Sequence, residues 1–269
     1  MTPIVVLMIF LGGLGAGFLT GLLGVGGGVV MVPVLYQVFL HIGETSKVAF
    51  TTSVATSLAV MIFSGLMAAR SYHQAGQLRL QLILWAGVGT ILGATIGAHV
   101  MIATNDRVVR FSFGVFLWLV AASMFLPKAA LRPHDHVPGF GYTVGLLAVG
   151  TVMGIVSALF GVGGGALLVP ALVVLFGIAI HNAVATSTAI IVLTAIFGTV
   201  NYLIIGWSDP NTPAHGLGWI HPVAWALLLP GALFATRWGV RVAMGLSREK
   251  LRIVLVAFQV LVGARFIFF

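Results

Sequence analysis

Cysteine is absent from this chain of 269 residues, and charge is nearly so. Without cysteine there is no disulfide, no thiolate metal site and no thiol nucleophile. Lys, Arg, Asp and Glu make up 7% of the chain, against about 25% in a typical soluble domain. So few charges cannot cover the surface of a soluble globule of this size. Only five residues are acidic: Glu44, Asp106, Asp135, Asp209 and Glu249. No Lys, Arg, Asp or Glu occurs between His136 and Ser208, and none precedes Glu44. The short alternating segments of a membrane β-barrel are missing. So are the polar or biased tracts of disordered and fibrous chains.

What remains is apolar. Hydrophobic residues make up 60% of the chain and the mean hydropathy is +1.15. About 20 such residues cross a bilayer as a helix, so the chain has room for roughly eight to ten crossings and none for a soluble catalytic domain. The expected class is an all-α polytopic membrane protein with the lipid bilayer as its surroundings. The net charge of +8 does not indicate nucleic acid as a partner. The basic residues sit in short clusters between apolar runs, as membrane-orienting loops do. Residues 4–23 lack a charged leader and run directly into a glycine motif that recurs, so a cleaved signal peptide is not expected.

The chain reads as two copies of one unit. GLLGVGGGVVMVPVL from Gly21 returns as ALFGVGGGALLVPAL from Ala158. Each glycine run is followed by a proline five residues after its last glycine, Pro33 and Pro170. Val54-Ala55-Thr56-Ser57 returns as Val184-Ala185-Thr186-Ser187, and a glycine follows each threonine by 20 residues, at Gly76 and Gly206. The spacing between glycine run and threonine predicts a loop seven residues longer in copy one, around Gly43–Lys47. Gly97 and Arg110 align more weakly with Gly239 and Arg252. Repeat one is 1–128, a cytoplasmic connector is 129–140, and repeat two is 141–269.

Five segments are expected per copy: 4–23, 29–40, 49–69, 80–101 and 110–127, then 141–160, 166–180, 184–206, 220–240 and 251–269. The second of each set is short, follows three glycines and contains a proline, the pattern of a broken or re-entrant helix. Arg70 and Arg79 follow the third segment of copy one, whereas the corresponding loop 207–219 of copy two has no basic residue. The next loop carries Asp106, Arg107 and Arg110 in copy one and Arg241, Arg248, Lys250 and Arg252 in copy two. With Lys128 and Arg132 in the connector, the positive-inside bias puts loop 70–79, the connector and loop 241–252 in the cytoplasm. Equivalent loops then face opposite sides and both termini lie outside. The fold expected is two inverted-topology five-element repeats with re-entrant or broken helices at the glycine motifs.

Inverted repeats with broken helices bind their solute near the midplane, between the copies. The glycine runs let the backbone turn sharply and approach a ligand closely. Each opens a short helix whose free N–H groups and dipole attract an anion. The candidate substrate-binding residues are therefore Gly24, Gly26, Gly27 and Gly28 with Gly161, Gly163, Gly164 and Gly165. Thr56, Ser57, Thr186 and Ser187 add neutral hydroxyls, and Asn201 an amide within a span. No Asp or Glu falls inside an expected span, which argues against carboxylate cation sites and for a small anionic or neutral substrate. His73, His99, His181 and His221 lie near span ends and read first as interfacial residues. His134 and His136 flank Asp135, but no fourth metal ligand is in view, and neither a metal nor a cofactor is expected.

The doubled GVGGG motif, the ATSL and ATST runs and SGLMAARSYHQAG from Ser64 resemble the sulfite exporter TauE/SafE family of membrane transporters. The resemblance covers both halves. It implies a secondary transporter of sulfur-containing anions such as sulfite, sulfoacetate, other organosulfonates and thiosulfate. It also implies that Gly24–Gly28, Pro33, Thr56 and Ser57, with Gly161–Gly165, Pro170, Thr186 and Ser187, line the path in the inner, cytoplasmic membrane. Phe50-Thr51-Thr52-Ser53 departs from copy two by adding hydroxyls. An anion channel, or a carrier of a different small organic anion, shares the same physics. An enzyme is not expected, because no HExxH or GxSxG pattern occurs. The apolar faces fit lipid or a second copy of the chain equally well, so a homodimer is one arrangement open to it.

Overall fold

A computed structural model describes residues 3–23, 26–123, 139–213, 216–243 and 248–268. Gly24 and the connector positions Lys128, Arg132, His134, Asp135 and His136 lie outside the described residues. Ten helices are present among those described. In the first half they are α1 (Pro3–Leu23), α2 (Gly28–His41), α3 (Ser46–Gln74), α4 (Leu80–Ala103) and α5 (Asp106–Ser123). In the second half they are α6 (Phe140–Phe160), α7 (Gly165–Phe176), α8 (Ile180–Trp207), α9 (Pro222–Ala243) and α10 (Arg248–Phe268). The chain is thus all-α and polytopic, with five elements per half and a break at each glycine run. Six of the helices (α1, α3, α4, α6, α8 and α9) are long and apolar enough to cross a membrane. That is fewer than composition alone suggests, because α2 and α7 are short and the ends of α5 and α10 are charged.

Several boundaries differ from the sequence expectation by four or five residues, among them the start of α5 at Asp106 and of α8 at Ile180. Helix α7 stops at Phe176 rather than residue 180, because Gly177 takes a left-handed φ of 64° and Ile178 N–H bonds back to Leu172 O, a glycine helix stop. Arg70 is helical, since α3 continues to Gln74 and the loop is only 75–79. The extra seven residues of copy one are not a loop insertion. Helix α2 has 14 residues against 12 in α7, the linker 42–45 is one longer than 177–179, and α3 starts ten residues before Thr56 where α8 starts six before Thr186.

The halves pack by exchanging partners. Helix α1 lies on α9 and α4 on α6, while α3 pairs with α8 and α5 with α10. The first two contacts are glycine stripes. Gly13, Gly17 and Gly21 of α1 rest on the backbone of Leu228, Ala232 and Thr236, and Gly89, Gly93 and Gly97 of α4 on Leu147, Thr151 and Ile155. A Cβ at any of them would collide with a carbonyl oxygen. Lipid supplies no hydrophobic force between helices, so such close backbone contact is what binds them. Outward-facing large apolar side chains, among them Leu80, Phe140 and Trp207, are left for lipid.

The registers also give direction. Along the α1–α9 and α4–α6 contacts residue numbers rise together, so those pairs are parallel. Helices α3 and α8 are antiparallel, because Gly65 meets Val192 while Gly198 meets Leu58. Helices α5 and α10 are antiparallel too, because Gly114 packs on Gly263 while Trp118 donates to Val260 O at 3.2 Å. Two pairs of helices equivalent in the repeat, α3 with α8 and α5 with α10, therefore run against each other. One end of the molecule gathers the α3–α4 and α7–α8 turns with the starts of α6 and α10. The other gathers the α2–α3, α4–α5 and α8–α9 connections.

Candidate functional site

Both glycine runs fold as left-handed bends. Gly26 and Gly27 have φ of 87° and 63°; Gly161, Gly163 and Gly164 have 63°, 80° and 69°. Residues with a Cβ avoid this region, which is why glycine stands at each. Gly27 and Gly164 then serve as N-caps of α2 and α7 through backbone geometry alone, with no capping side chain. Gly27 O accepts from Val30 and Met31, and Gly164 O from Leu167 and Leu168. Gly28 and Gly165 open the two short helices. Pro33 and Pro170 sit one and a half turns in, where each leaves the carbonyl four residues earlier without its helical donor.

The two bends touch. A Cβ on Gly26 would lie 2.6 Å from Val162 O and 3.4 Å from Gly163 Cα, and one on Gly28 would overlap Gly161 O. Met61 of α3 sits against both, its Sδ 3.2 Å from the Gly26 Cβ position and 3.0 Å from that of Gly163. Ile191 of α8 closes the other side at 3.0 Å. Gly26–Gly28 and Gly161–Gly165 are buried. Among the described residues, no acceptor meets the N–H of Gly26 or Gly27, nor that of Gly163, Gly164 or Gly165. The arrangement thus holds two helix N-termini from different halves against each other, with Met61 and Ile191 packed on them.

The hydroxyl pairs tie the halves together. Ser57 Oγ lies 2.8 Å from both Val54 O and Gly161 O, so α3 is stitched to the bend of the other half. Thr56 Oγ1 accepts from His221 N–H at 3.1 Å, just ahead of α9. Thr186 Oγ1 accepts from Arg79 N–H at 3.3 Å, just ahead of α4. The two threonines therefore play the same part, each receiving the residue just before the other half's fourth helix. Ser187 bonds back to Val184 O at 2.9 Å. All four residues are buried.

Asn201 is not brought to the bends. It donates to Phe197 O at 2.8 Å and Thr95 Oγ1 at 3.3 Å, ten residues and about 15 Å along α8 from Ile191. Thr51 and Ser53 bond back to Lys47 O and Ala49 O. His99 Nδ1 lies 2.9 Å from Thr95 O, and the His221 ring packs on Phe39. Sequence reasoning passed over Met61 and Ile191, because an apolar residue in an apolar helix carries no signal of its place. It also passed over a small polar group at one helix end, where Asp106 takes Ser46 Oγ at 3.2 Å and pairs with Arg110 at 3.1 Å. The acidic residue at the start of α5 was the visible cue.

Comparison with known proteins agrees with this architecture. The family model described as sulfite exporter TauE/SafE matches residues 9–266. A probable membrane transporter protein, YunE, of Bacillus subtilis is 30% identical, with 95% of each chain covered. A probable membrane transporter protein of Haemophilus influenzae is 28% identical over 89% of each chain. Another, MJ0441 of Methanocaldococcus jannaschii, is 24% identical over 95% of this chain and 91% of its own. No solved structure matches. The chain belongs to the sulfite exporter TauE/SafE family and is a multi-pass membrane transporter.

Proposed function

We propose that this transporter carries small sulfur-containing anions, of the sulfite and organosulfonate class, across the cytoplasmic membrane by alternating access between two inverted halves. The observation that carries the reading is the tip-to-tip contact of the two glycine bends, each presenting a helix N-terminus to the other. Amide N–H groups and helix dipoles favour a negative solute. Neutral donors also avoid the cost of a buried fixed charge when the site is empty. Among the described residues, no helix holds Asp or Glu beyond its first turn, so nothing near the bends competes with an anion.

The orientation follows from charge. Arg70, Arg79, Arg241, Arg248, Lys250 and Arg252 lie at one end, with Glu249. Lys47, Arg107, Arg110 and Arg265 lie toward the other, offset by Glu44, Asp106 and Asp209. The arginine-rich end is cytoplasmic by the positive-inside bias. In this reading the meeting of the bends is the occluded centre, and the two halves open in turn by parting their exchanged contacts.

The test is a ligand panel followed by flux. Sulfite, thiosulfate or a short sulfonate should raise the melting temperature of the purified protein in a concentration-dependent way. The same solute should show saturable uptake and counterflow in proteoliposomes. A protein that binds none of the panel and moves none of it, or flux that never saturates, overturns the reading.

A further inference from the structure

Buried hydroxyls on these helices have a standard solution: they bond to a carbonyl three or four residues earlier. Thr20, Ser53, Thr90, Thr194 and Thr236 all do so. Thr52 and Thr199 do not; their Oγ1 atoms are buried with no partner, and so is Trp219 Nε1. A buried polar atom without a partner costs about 1–3 kcal/mol, so three such groups in one region need a reason. The remaining two unpartnered atoms, on Ser157 and Gln259, belong to other helices.

The fold brings the segments that carry these three residues together. Trp219 is 1% exposed, in the short turn Leu217–Ile220 that precedes α9. Its backbone N–H reaches Tyr202 O of α8 at 3.4 Å, and Thr199 is three residues earlier on that helix. His221, two residues after Trp219, donates to Thr56 of α3, and Thr52 is one turn from Thr56 on the same face. Helices α3 and α8 cross here, Leu58 on Gly198. The locus thus lies between α3, α8 and the turn, on the side of the bends away from the arginine-rich end.

The repeat supplies an internal comparison. The position of Thr52 corresponds to Asn182, and the strand of chain that meets Thr56 corresponds to the one that meets Thr186. There the chain can satisfy itself: with its amide turned so that the oxygen faces Arg79, Asn182 accepts from Arg79 Nε at 3.2 Å and Nη2 at 3.3 Å. In copy two the residue equivalent to Arg79 is His221, and Trp219, two residues before it, brings an indole N–H, which only donates; with the Thr52 and Thr199 hydroxyls that leaves three donors without acceptors among the described residues. What completes such a set is a ligand rich in acceptors.

We propose that Trp219, Thr52 and Thr199 form an oxyanion subsite on the outward side of the glycine bends, where the indole N–H and the two hydroxyls bind the oxygens of the transported anion. The subsite rests on the function proposed above and adds residues that the glycine motif does not contain. It is closed in this structure, and the Leu217–Ile220 turn is the element that must lift to admit the solute.

The experiment uses the full-length protein in proteoliposomes, with labelled sulfite counterflow as readout and the variants Trp219→Phe, Thr52→Val and Thr199→Val. The two valines keep shape and delete a donor; phenylalanine deletes the indole N–H and one ring of volume with it. Loss of a hydrogen bond to a charged ligand should raise KM about tenfold or more for Trp219→Phe, with a smaller change in maximal rate. Thr52→Val and Thr199→Val should each raise KM severalfold, and they carry the test where Trp219→Phe fails to fold. Variants with a wild-type KM, whether or not their melting temperature changes, overturn the subsite and leave these atoms as structural. A wild-type protein that moves neither sulfite nor any other oxyanion of the panel refutes the function itself, a distinguishable outcome.

Discussion

Alanine at Gly163 should leave the protein folded and stop it transporting. Gly163 has a φ of 80°, and an L-residue held there costs about 1–2 kcal/mol. The added methyl would lie 3.0 Å from Ile191 Cγ2 and Met61 Sδ and 3.5 Å from Gly26 Cα. The methionine is flexible enough to give by a few tenths of an ångström. Overpacking therefore adds about 1 kcal/mol, well below the 5–15 kcal/mol by which domains are stable. The melting temperature should fall by roughly 4–10 °C. Function is more sensitive, because the methyl presses on Met61 and Ile191, the side chains that wall the bends, and the strained φ disturbs the turn that leads into α7. Counterflow of labelled sulfite should drop at least tenfold, on the scale by which misplaced groups cost activity. Adding Met61→Ala should lower stability further, because the cavity left by a fully buried methionine costs about 2–5 kcal/mol, more than the overpacking it relieves. A Gly163→Ala protein with wild-type KM and maximal rate would show that contact between the bends has no part in transport. Gly28→Ala is the less useful variant, since its methyl meets the Gly161 carbonyl and backbone cannot move aside.

Ser57→Ala should lower the melting temperature by several degrees, because Gly161 O loses its donor from α3 in a buried setting where an orphaned carbonyl costs about 1–3 kcal/mol. An unchanged melting curve would show that this bond does not hold the halves together. The absence of cysteine makes orientation directly measurable. Thr45→Cys in the α2–α3 linker should react with an impermeant maleimide on intact cells, while Gln74→Cys at the end of α3 should react only after permeabilisation; the opposite pattern reverses the proposed orientation.

Much of the architecture was legible because the sequence states it twice. Ten segments were placed within a few residues, since glycine, proline and charge punctuate an otherwise apolar chain. The errors are local. The end of α7 depended on Gly177 acting as a helix stop, which is one glycine among 35 in this chain. The extra residues of copy one had to lie somewhere between Gly28 and Thr56, and only coordinates divide them among a helix end, a linker and a helix start. At the site, the glycines were found by their repetition. Asn201 was proposed because it is polar within a span, and polarity cannot say which neighbour a side chain meets.

Composition alone settled that the chain lives in lipid, since 7% charge permits nothing else at this length, and repetition alone settled that it is built from two related halves. Which surfaces meet was decided by tertiary structure: α1 on α9, α4 on α6, bend against bend, Thr56 at the start of α9. The reason is physical. In a soluble protein the apolar face of a helix announces what it packs against, but in a bilayer every face is apolar, so partner choice rests on small-residue stripes and a few hydrogen bonds that sequence separation hides. Trp219 shows it most clearly: an ordinary tryptophan in the sequence, and a buried, unpartnered donor only once the chain is folded.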